Sequence, residues 1–392
     1  MYIIADENIP CVRSAFATLG TVQTVAGRQL QRATLEKADI LLVRSVTQVN
    51  EALLSGSAIR FVGTATIGCD HIDLDYLEKQ NITFASAPGS NATSTAEYVI
   101  SALFILAERQ GFKLTDKTVG IIGCGNVGSR VLKKLQGLDI PCRVYDPLRQ
   151  EMTASQDEIP FVSLKTVLTS DIITLHVPLT RGGAYPTEYM VDKTFLSQLS
   201  EQAILINTSR GNVIDEQALQ ARLNQSPNMT VVLDVWNNEP AINLQLLEQV
   251  ALGTPHIAGY SIEGKVRGTE MLYKAVCTYL NETTTWMAQH GLPPPPLSQL
   301  TFTATVEDSD ALKTAVMACY DVRRDDALLR SIMKASDPSC YFDKLRKHYQ
   351  LRREFNSVRV EVPPIKTILA KQLESLGFQV TVTDQMEKSA LG

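Results

Sequence analysis

The chain has 392 residues, of which 44% are hydrophobic and 20% are charged, and its formal net charge is −5. This length predicts two or three domains, and the composition is typical of a soluble globular protein. The negative charge provides no basic field for nucleic acid, so we expect no nucleic-acid partner. No apolar run approaches the roughly 20 residues that span a bilayer, so we expect no membrane partner. Seven cysteines without a CxxC pair, and no signal-peptide pattern, favour reduced thiols in a cytoplasmic protein.

Over residues 1–90, short apolar runs alternate with helical patterns. The runs YIIA, ILLVRS, IRFVGTA and ITFASA predict buried strands, and VRSAFATLG, VNEALLSG and DLDYLEKQ predict the helices between them. Such alternation is typical of a parallel sheet that is covered on both faces. The long helical pattern NATSTAEYVISALFILAERQG follows, with Ser94 or Thr95 as its predicted N-cap.

The same rhythm resumes at KTVGIIG and continues through CRVYD, DIITLHVPL, AILINTS, TVVLDVW and TPHIAGY. A helical stretch over 264–280 is then expected to return to the first domain. The four prolines of GLPPPPL cannot continue a helix or pair inside a sheet, so they predict a linker over 291–297. Beyond the linker, SVRVEV, IKTILAKQLESLG and FQVTVTD predict a strand, a helix and a strand.

The segment VGIIGCGNVGSRVLKKL carries three glycines in GxGxxG spacing, after an apolar run and at the start of a helical pattern. Gly123 would permit a tight turn, Gly125 would let the backbone approach a pyrophosphate, and Gly128 would let helix and strand pack closely. A plain glycine-rich turn is the alternative. We predict a dinucleotide site here, with cofactor contacts at Gly123, Gly125, Asn126, Val127 and Gly128.

An acidic residue follows this loop at the distance that a dinucleotide site requires. Asp146 ends CRVYD, where a carboxylate accepts hydrogen bonds from ribose hydroxyls and repels a 2′-phosphate. We therefore predict NAD rather than NADP as the cofactor, although the nearby Arg149 would weaken that preference.

Three chemically suited side chains come after successive predicted strands. Arg210 follows AILINTS, Glu239 follows TVVLDVW, and His256 lies in TPHIAGY. Each alone has an ordinary alternative, as a surface arginine, a loop carboxylate or a core histidine. Carboxyl ends of parallel strands meet at the ligand-binding edge of a sheet, so their joint placement favours a common site.

Oxidation of a secondary alcohol to a ketone removes a hydride and a proton. Histidine, with an unperturbed pKa near about 6.5, is a suitable base for the proton. A carboxylate bonded to it fixes its tautomer, and a guanidinium matches a substrate carboxylate. His256, Glu239 and Arg210 suit these three tasks, with the hydride passing to NAD.

From the N-terminus to about residue 285 the chain resembles the D-2-hydroxyacid dehydrogenase family. The matching stretches, in order, are PGSNATSTAEYV, VGIIGCGNVGSRV, LHVPLT, INTSRGNVIDEQAL, LDVWNNEP and TPHIAGY. The resemblance implies an active site of Arg210, Glu239 and His256. Further cofactor contacts are expected at Thr174, Thr208, Asp234 and Gly259.

The whole chain also resembles one branch of this family, through ADENIP, VRSVT, FVGTATIGCDHID, HIAGYSIEGKVRGT, YDVRRDD and FDKLRKHYQLRRE. This resemblance implies oxidation of 4-phospho-D-erythronate, a phosphorylated 2-hydroxy acid, on the route to pyridoxal 5′-phosphate. It implies substrate contacts at Ser45, Thr66 and Tyr260. Hydroxyls in local turn hydrogen bonds are the alternative for Ser45 and Thr66.

A substrate phosphate needs additional cations, and the C-terminal part of the chain offers several. One or two are expected to reach an active site, either that of the same chain or that of a partner subunit, while a solvated helix face is the ordinary alternative. The candidates are Arg323, Arg324, Lys344, Arg346, Lys347, Arg352 and Arg353.

Together these observations predict an α/β fold with two doubly wound parallel-sheet domains, of Rossmann or flavodoxin-like type, and a small C-terminal α+β domain. Residues 1–95 with 264–288 would bind substrate, 96–263 would bind NAD, and 297–392 would form a homodimer interface. No metal site is expected, and Asp70 and Asp73 around His71 predict the start of a helix. Two other functions stay open: a dehydrogenase of the glycerate or phosphoglycerate type, and an NADH-sensing corepressor on the same fold.

Overall fold

The computed structural model describes residues 1–152 and 159–383. Within them the strands are β1 (Tyr2–Asp6), β2 (Thr21–Val25), β3 (Ile40–Val43), β4 (Phe61–Thr64), β5 (Thr83–Ala85), β6 (Val119–Ile122), β7 (Cys142–Tyr145), β8 (Ile172–Leu175), β9 (Ile204–Asn207), β10 (Thr230–Leu233), β11 (Leu252–Gly253), β12 (Gln299–Thr301), β13 (Arg359–Val362) and β14 (Gln379–Val382). All of their pairings are parallel.

The helices lie between these strands and after them. They are α1 (Val12–Phe16), α2 (Glu51–Leu54), α3 (Leu74–Lys79), α4 (Ala92–Gln110), α5 (Asn126–Gln136), α6 (Pro147–Met152), α7 (Leu164–Val167), α8 (Lys193–Ser197), α9 (Glu216–Gln225), α10 (Leu244–Gln249), α11 (Ile262–Leu280), α12 (Asp308–Cys319), α13 (Val322–Arg330), α14 (Pro338–Lys347) and α15 (Thr367–Leu376). Short 3-10 turns complete the connections. Along the described ranges, every helix falls short of the length and apolar character that a bilayer crossing requires.

The first sheet has the order β2-β1-β3-β4-β5, the flavodoxin-like arrangement. Alternate residues of β1 belong to two separate apolar clusters: Ile3 packs with side chains of α1 and α11, whereas Ile4 packs with Leu54 and Leu77. The sheet is therefore buried on both faces, as its continuous apolar runs predict.

The second sheet has the order β11-β10-β9-β8-β6-β7. The chain runs outward in both directions from β6 and β8, so the strand order reverses between them. Ligands of doubly wound sheets bind beyond the carboxyl ends of the strands at such a point. The loop after β6 is the glycine-rich segment, which places it at the expected edge.

The third sheet is small, with the order β12-β13-β14. The two strands and the helix that the sequence predicts here are β13, α15 and β14; the last residue of the predicted segment FQVTVTD lies outside the described residues. Helices α12, α13 and α14 precede β13 and were not among the predicted elements. The three sheets confirm the predicted fold class.

The chain divides into two compact units. Unit 1 comprises Met1–Thr93 and Tyr260–Pro294, and unit 2 comprises Ser94–Gly259 and Pro295–Gly392. Helix α11 belongs to unit 1, and the C-terminal residues share unit 2 with the second sheet. The three-domain division predicted from the sequence, with its linker at 291–297, stays a prediction.

Some local predictions are wrong in detail. Helix α4 begins at Ala92, before the predicted caps Ser94 and Thr95, both of which are buried inside it. TPHIAGY is not a strand; β11 lies just before it. The helix expected after CDHID is α3, and its N-cap is Asp73, whose Oδ1 accepts the N–H of Tyr76 at 3.0 Å.

Candidate active site

The glycine loop after β6 meets the three steric requirements that its spacing implies. Gly123 has φ +85°, and a Cβ there would lie 2.6 Å from the carbonyl oxygen of His176. A Cβ at Gly128 would overlap the carbonyl of Gly123, because α5 packs closely on β6. At Gly125, the N-cap of α5, nothing lies within 4 Å of the Cβ position among the described residues. An anion therefore has room at the N-terminus of α5, so these residues fit a dinucleotide pyrophosphate.

Asp146 lies directly beyond β7 and holds this loop. Its Oδ2 accepts the N–H of Cys124 at 2.8 Å, and its Oδ1 accepts the N–H of Arg149 at 3.0 Å. The Arg149 guanidinium donates to the Cys124 carbonyl at 2.5 Å. Arg149 thus contacts the loop beside the proposed ribose site, which is the position from which it would soften a preference for NAD.

His176 lies between two of the predicted cofactor residues. Its Nε2 is 2.9 Å from the hydroxyl of Thr174, and its Nδ1 is 3.3 Å from that of Thr208. Burial lowers the pKa of His176 to about 3, so the ring is neutral at physiological pH. We therefore expect His176 to orient the hydroxyls of Thr174 and Thr208 rather than to act as a base.

Glu239 and His256 are hydrogen-bonded to each other, with Oε2 2.7 Å from Nδ1. The other carboxylate oxygen of Glu239 accepts the N–H of Trp236 at 2.9 Å. Burial opposes ionisation of Glu239, but His256, Arg346 and the Trp236 N–H together outweigh it and lower the pKa of this carboxyl. Glu239 is thus an anion held against the imidazole, the arrangement that fixes a histidine tautomer.

Asp234, at the carboxyl end of β10, holds the loop that carries His256. Its carboxylate accepts the hydroxyl of Thr254 at 2.7 Å and the N–H groups of Ile257 and Ala258 at 2.8 Å and 3.0 Å. Its main-chain carbonyl accepts the His256 N–H at 2.7 Å. Because both carboxylate oxygens are engaged by this loop, Asp234 sets the position of His256; its predicted cofactor contact stays a prediction, as does that of Gly259.

Arg210 lies just beyond β9. Because β9 pairs in parallel with β10, Arg210 lies at the same edge of the sheet as Asp234. Its carbonyl accepts the Asn207 side-chain amide at 3.0 Å, and its guanidinium donates to the Ser209 carbonyl at 2.8 Å. A side chain at Gly211 would collide with the backbone of Trp236. The turn after β9 therefore packs directly on the segment that leads to Glu239.

The C-terminal residues contribute to this edge of unit 2. Phe342 of α14 is buried in the same apolar cluster as Trp236, and Tyr341 and Leu345 pack against that cluster. The next residue is Arg346, the cation that lowers the pKa of Glu239. Of the seven predicted tail cations, four are exposed, Arg346 and Arg353 are half-buried, and Arg352 is buried; the exposed ones are Arg323, Arg324, Lys344 and Lys347.

The predicted substrate residues Ser45, Thr66 and Tyr260 all belong to unit 1. Ser45 is exposed just beyond β3. The hydroxyl of Thr66 is 2.7 Å from that of Thr64 and donates to the Gly68 carbonyl at 3.0 Å, as the turn alternative predicts. The Tyr260 ring lies under the ammonium of Lys265, 4.4 Å from the ring centroid.

Sequence reasoning missed two contributors to the site. The Trp236 N–H orients Glu239, and Thr254 links the loop to Asp234 and to the buried hydroxyl of Tyr98 at 2.8 Å. Neither has a motif of its own, although both lie within three residues of a predicted site residue. Among the residues that the structure describes, no three His, Cys, Asp or Glu side chains are grouped to hold a metal ion.

Comparison with known families supports a cofactor site in this part of the chain. Residues 97–258 match the NAD-binding domain of the D-isomer specific 2-hydroxyacid dehydrogenases. Residues 291–377 match a domain of unknown function.

Among solved structures, the chain is similar to D-lactate dehydrogenase from Aquifex aeolicus complexed with NAD and lactic acid. That match has a TM-score of 0.58 and 26% identity, and covers 72% of this chain and 96% of that one. The 3-phosphoglycerate dehydrogenase of Entamoeba histolytica has a TM-score of 0.61 at 24% identity, covering 73% and 97%, and supports the fold alone. The cofactor is therefore NAD, and the protein is an NAD-dependent 2-hydroxyacid dehydrogenase, as predicted.

Similarity over the full length is higher to erythronate-4-phosphate dehydrogenases. The one from Marinobacter nauticus is 47% identical, with 97% of this chain and 100% of the relative covered. Those from Hahella chejuensis and Cronobacter sakazakii are 44% and 47% identical, with 97% of this chain covered in each case and 100% and 99% of the relative. The glycine loop, the Glu239–His256 pair and this full-length identity lead to one conclusion: the chain belongs to the erythronate-4-phosphate dehydrogenase family.

Proposed function

We propose that this protein oxidises 4-phospho-D-erythronate at C2 with NAD, giving (R)-3-hydroxy-2-oxo-4-phosphooxybutanoate on the route to pyridoxal 5′-phosphate. The observation that carries the chemistry is the 2.7 Å pair between Glu239 and His256, beyond the carboxyl ends of β10 and β11 in an NAD-binding sheet. The choice of substrate rests on the full-length identity to erythronate-4-phosphate dehydrogenases.

The proton goes to His256. With Glu239 ionised and accepting from Nδ1, Nε2 of the ring is left to accept the proton of the C2 hydroxyl. When bound, NAD would accept the hydride, which is the C2 hydrogen with its two bonding electrons. With the hydroxyl proton on His256, the C2–O bond becomes a carbonyl. The Glu239 carboxylate then stabilises the imidazolium that has formed.

Arg210 binds the substrate carboxylate in this proposal. A guanidinium makes two parallel hydrogen bonds to a carboxylate and brings positive charge beside the C2 oxygen. Ser45, Thr66 and Tyr260 are proposed to contact the rest of the substrate. For Thr66 this requires its hydroxyl to leave the local bonds to Thr64 and Gly68.

A substrate panel tests the proposal. The purified full-length chain is incubated with NAD and, separately, 4-phospho-D-erythronate, D-erythronate, D-glycerate, 3-phospho-D-glycerate and D-lactate, and NADH is followed by its absorbance. We expect the highest kcat/KM with 4-phospho-D-erythronate and a large loss without the phosphate. A higher kcat/KM with glycerate or phosphoglycerate would replace this substrate assignment. NADH binding without turnover of any substrate would favour the corepressor alternative.

We also propose that the protein is a homodimer joined through its C-terminal sheet. Three aliphatic side chains at the carboxyl edge of this sheet support it: Ile365, Ile368 and Val382 are 79%, 64% and 51% exposed. Val382 pairs with Val362, so the turn that holds Ile365 starts beside it. Several exposed aliphatic side chains at one edge of a sheet would be covered by association with a second copy of the chain.

Sedimentation velocity on the full chain tests this interface. The double substitution Ile365→Glu and Ile368→Glu is expected to convert a dimer to a monomer. Leu148→Glu, at a side chain that is 52% exposed on α6 of the cofactor sheet, is the matched control and should remain dimeric. A monomeric wild type, or a double variant that stays dimeric, contradicts the proposal.

A cytoplasmic location is the third part of the proposal. All seven cysteines are free thiols, and Cys340 is exposed. Exposed thiols persist in a reducing compartment and are oxidised outside it. Fractionation of cells that produce the protein is expected to place its activity with the cytoplasmic fraction.

A further inference from the structure

A buried arginine of the C-terminal segment donates to two main-chain carbonyls of the cofactor domain. Arg352 is only 4% exposed. Its Nη1 donates to the carbonyl of Ala258 at 3.0 Å, and its Nη2 donates to that of Ser94 at 2.7 Å. The guanidinium carbon lies 3.5 Å from the centroid of the Tyr320 ring. A buried charge is costly unless it is hydrogen-bonded, so the loss of either bond would be unfavourable.

The two carbonyls occupy special places along the chain. The chain leaves unit 1 at Thr93 and enters unit 2 at Ser94, and it leaves unit 2 again after Gly259. Ser94 is the first residue of unit 2, and Ala258 immediately precedes Gly259, after which the chain leaves that unit. Arg352 therefore binds unit 2 at the point where the chain first enters it and at the point where the chain leaves it. Ala258 is also only two residues beyond His256.

The Ala258 residue is held from both sides. Asp234 accepts its N–H at 3.0 Å, while Arg352 donates to its carbonyl at 3.0 Å. His256 itself has φ +56°, a left-handed backbone conformation that is unfavourable for residues other than glycine. A strained residue keeps its conformation only where its neighbours are fixed, and the Arg352 bond is one of the contacts that fix them.

Hydrogen bonds anchor the chain on either side of Arg352. The Asp325 carboxylate accepts the hydroxyls of Tyr320 and Tyr349, each at 2.8 Å. Glu97 of α4 accepts the N–H of Phe355 at 2.9 Å. These contacts hold Tyr349 to α13 and Phe355 to α4, on the two sides of Arg352 in sequence, so the guanidinium has little freedom to relax away from Ala258.

We propose that Arg352 is a positioning residue for the dehydrogenase reaction: it sets the conformation of the loop that carries His256. The inference rests on the proposed role of His256 as the base. It gives the C-terminal segment a part in building the active site of its own chain, in addition to the proposed dimer contact.

Arg330 provides a matched control. It too belongs to the C-terminal segment, and its guanidinium donates to two carbonyls of the cofactor domain, those of Leu247 and Val250, at 2.9 Å and 2.8 Å. These carbonyls lie at the end of α10, away from the His256 loop in sequence. Loss of Arg330 therefore weakens the attachment of the C-terminal segment without removing a bond to residues 254–259. It also removes the ion-pair partner of Asp326, whose carboxylate accepts the Gly253 N–H at 2.8 Å, so its effect on the loop is indirect.

The experiment compares Arg352→Met, Arg352→Lys, Arg330→Met and Arg330→Lys in the full-length protein. We measure kcat and KM for 4-phospho-D-erythronate, the isotope effect on kcat with C2-deuterated substrate, the Kd for NADH and the melting temperature. For Arg352→Met we expect kcat to fall at least about tenfold, since misplacing a reacting group by about 1 Å can cost about 10²-fold. The isotope effect should rise, the Kd for NADH should change less than about twofold, and Arg352→Lys should recover part of the loss.

Arg330→Met is expected to lower the melting temperature with kcat within about twofold of wild type. An equal loss of kcat in the Arg330 and Arg352 variants would reduce Arg352 to a docking contact and overturn the proposal. Full activity in Arg352→Met would overturn it as well. If Arg352→Met does not fold, Arg352→Lys decides: we expect its kcat to lie below that of Arg330→Lys, and equal values would overturn the proposal.

Hydrogen exchange separates this inference from the proposed reaction. Amide exchange within 254–259 should accelerate in the Arg352 variants, and exchange within 244–251 should accelerate in the Arg330 variants. If exchange in 254–259 accelerates in the Arg352 variants but the wild-type enzyme turns over no substrate of the panel, the proposed function is contradicted. The structural role of Arg352 then stands. Unchanged exchange there would contradict the role of Arg352 itself.

Discussion

His176 and His256 lie near the same edge of the cofactor sheet, but their neighbours differ. Among the residues that the structure describes, the hydrogen-bond partners of His176 are hydroxyls and not carboxylates, and burial lowers its pKa to about 3. His256 has the Glu239 carboxylate at 2.7 Å. An imidazole beside a carboxylate can take up a proton without creating an uncompensated buried charge, so only His256 is suited to act as the base.

This contrast predicts different effects of replacing each histidine. His256→Asn should lower kcat by about 10²–10⁴-fold, the range of general acid–base contributions. His176→Gln should leave the acid limb of the kcat/KM profile in place, because a ring that stays neutral down to about pH 3 does not titrate there. The measurement is kcat/KM between pH 5 and pH 9. If His176→Gln loses the acid limb, then that limb belongs to His176 and not to His256, and this prediction is wrong.

Glu239 gives a second prediction at this scale. Its pKa is lowered in the fold, so its contribution to stability is present above the ordinary glutamate value and is lost as the pH falls through the lowered one. Glu239→Gln keeps an acceptor for the Trp236 N–H but removes the charge that stabilises the imidazolium. We expect kcat to fall by about 10²-fold or more at pH 7, with little change in the Kd for NADH. A wild-type kcat in this variant would rule out a catalytic pair.

Among the elements, α5 and the loop before it connect sequence and function most directly. Gly128 has no space for a side chain because the Gly123 carbonyl lies against it, whereas Gly125 faces open space. One glycine is therefore required by packing and the other by the approach of a ligand. The loop has two separable constraints within four residues.

Alanine substitutions should separate these constraints. Gly128→Ala forces α5 away from β6 and is expected to lower the melting temperature by several degrees. Gly125→Ala fits without a clash and should leave the melting temperature close to that of wild type, while raising the Kd for NADH at least about tenfold because the methyl group takes up space next to the pyrophosphate. Calorimetry and NADH fluorescence titration give the two values. Equal effects of both substitutions on stability would contradict this division.

In the whole molecule, the C-terminal segment is part of the cofactor unit. The Ser101 hydroxyl in α4 donates to the Tyr320 carbonyl at 2.9 Å and accepts the N–H of Val322 at 3.2 Å. Lys134 of α5 donates to the Leu376 carbonyl. Phe342 and Leu329 are buried in the core of the second sheet. The segment therefore completes the packing of unit 2.

Truncation should reveal this dependence. A chain that ends at residue 294 would expose the buried face of α4 and part of the cluster around Trp236. We expect it to melt at least about 10 °C below the full chain, or to be recovered only as aggregates. Differential scanning calorimetry of both chains is the measurement. A truncated chain with the full melting temperature and kcat would contradict both this prediction and the inference about Arg352.

The pH dependence of stability is a further property of this packing. Burial raises the pKa of Glu97 from its ordinary value of 4.5 to about 8, against the opposing charge of Lys134. Because the folded state keeps a proton that the unfolded state releases, the contribution of this group is complete below the ordinary value and is lost as the pH rises through about 8.

Glu97→Gln should therefore flatten the decline of the unfolding free energy between pH 6 and pH 8.5, since glutamine keeps an acceptor for the Phe355 N–H and does not ionise. Urea unfolding at several pH values tests this. A variant whose unfolding free energy declines as steeply as that of wild type would show that Glu97 ionises normally in the fold.

The sequence by itself determined the two doubly wound sheets, the glycine loop and NAD, because these depend on periodicity and on motifs that are local in the chain. The catalytic roles of Arg210, Glu239 and His256 stay predictions, although the structure brings Glu239 and His256 within 2.7 Å of each other. The sequence missed β2, whose residues TVQTV form an edge strand that is largely outside the core and so lacks an apolar run. It also did not reveal that Asp234 would direct both carboxylate oxygens to the His256 loop.

Only the tertiary structure decided how the basic C-terminal run is used. The sequence shows seven similar cations, yet Arg346 lies where it lowers the pKa of Glu239, Arg352 is buried against the Ala258 and Ser94 carbonyls, and the others are exposed or half-buried. The physical reason is that a charge acts through its surroundings. Burial is a property of packing, and so is the distance to carbonyls that are far away in sequence. No local pattern in the chain encodes either of them.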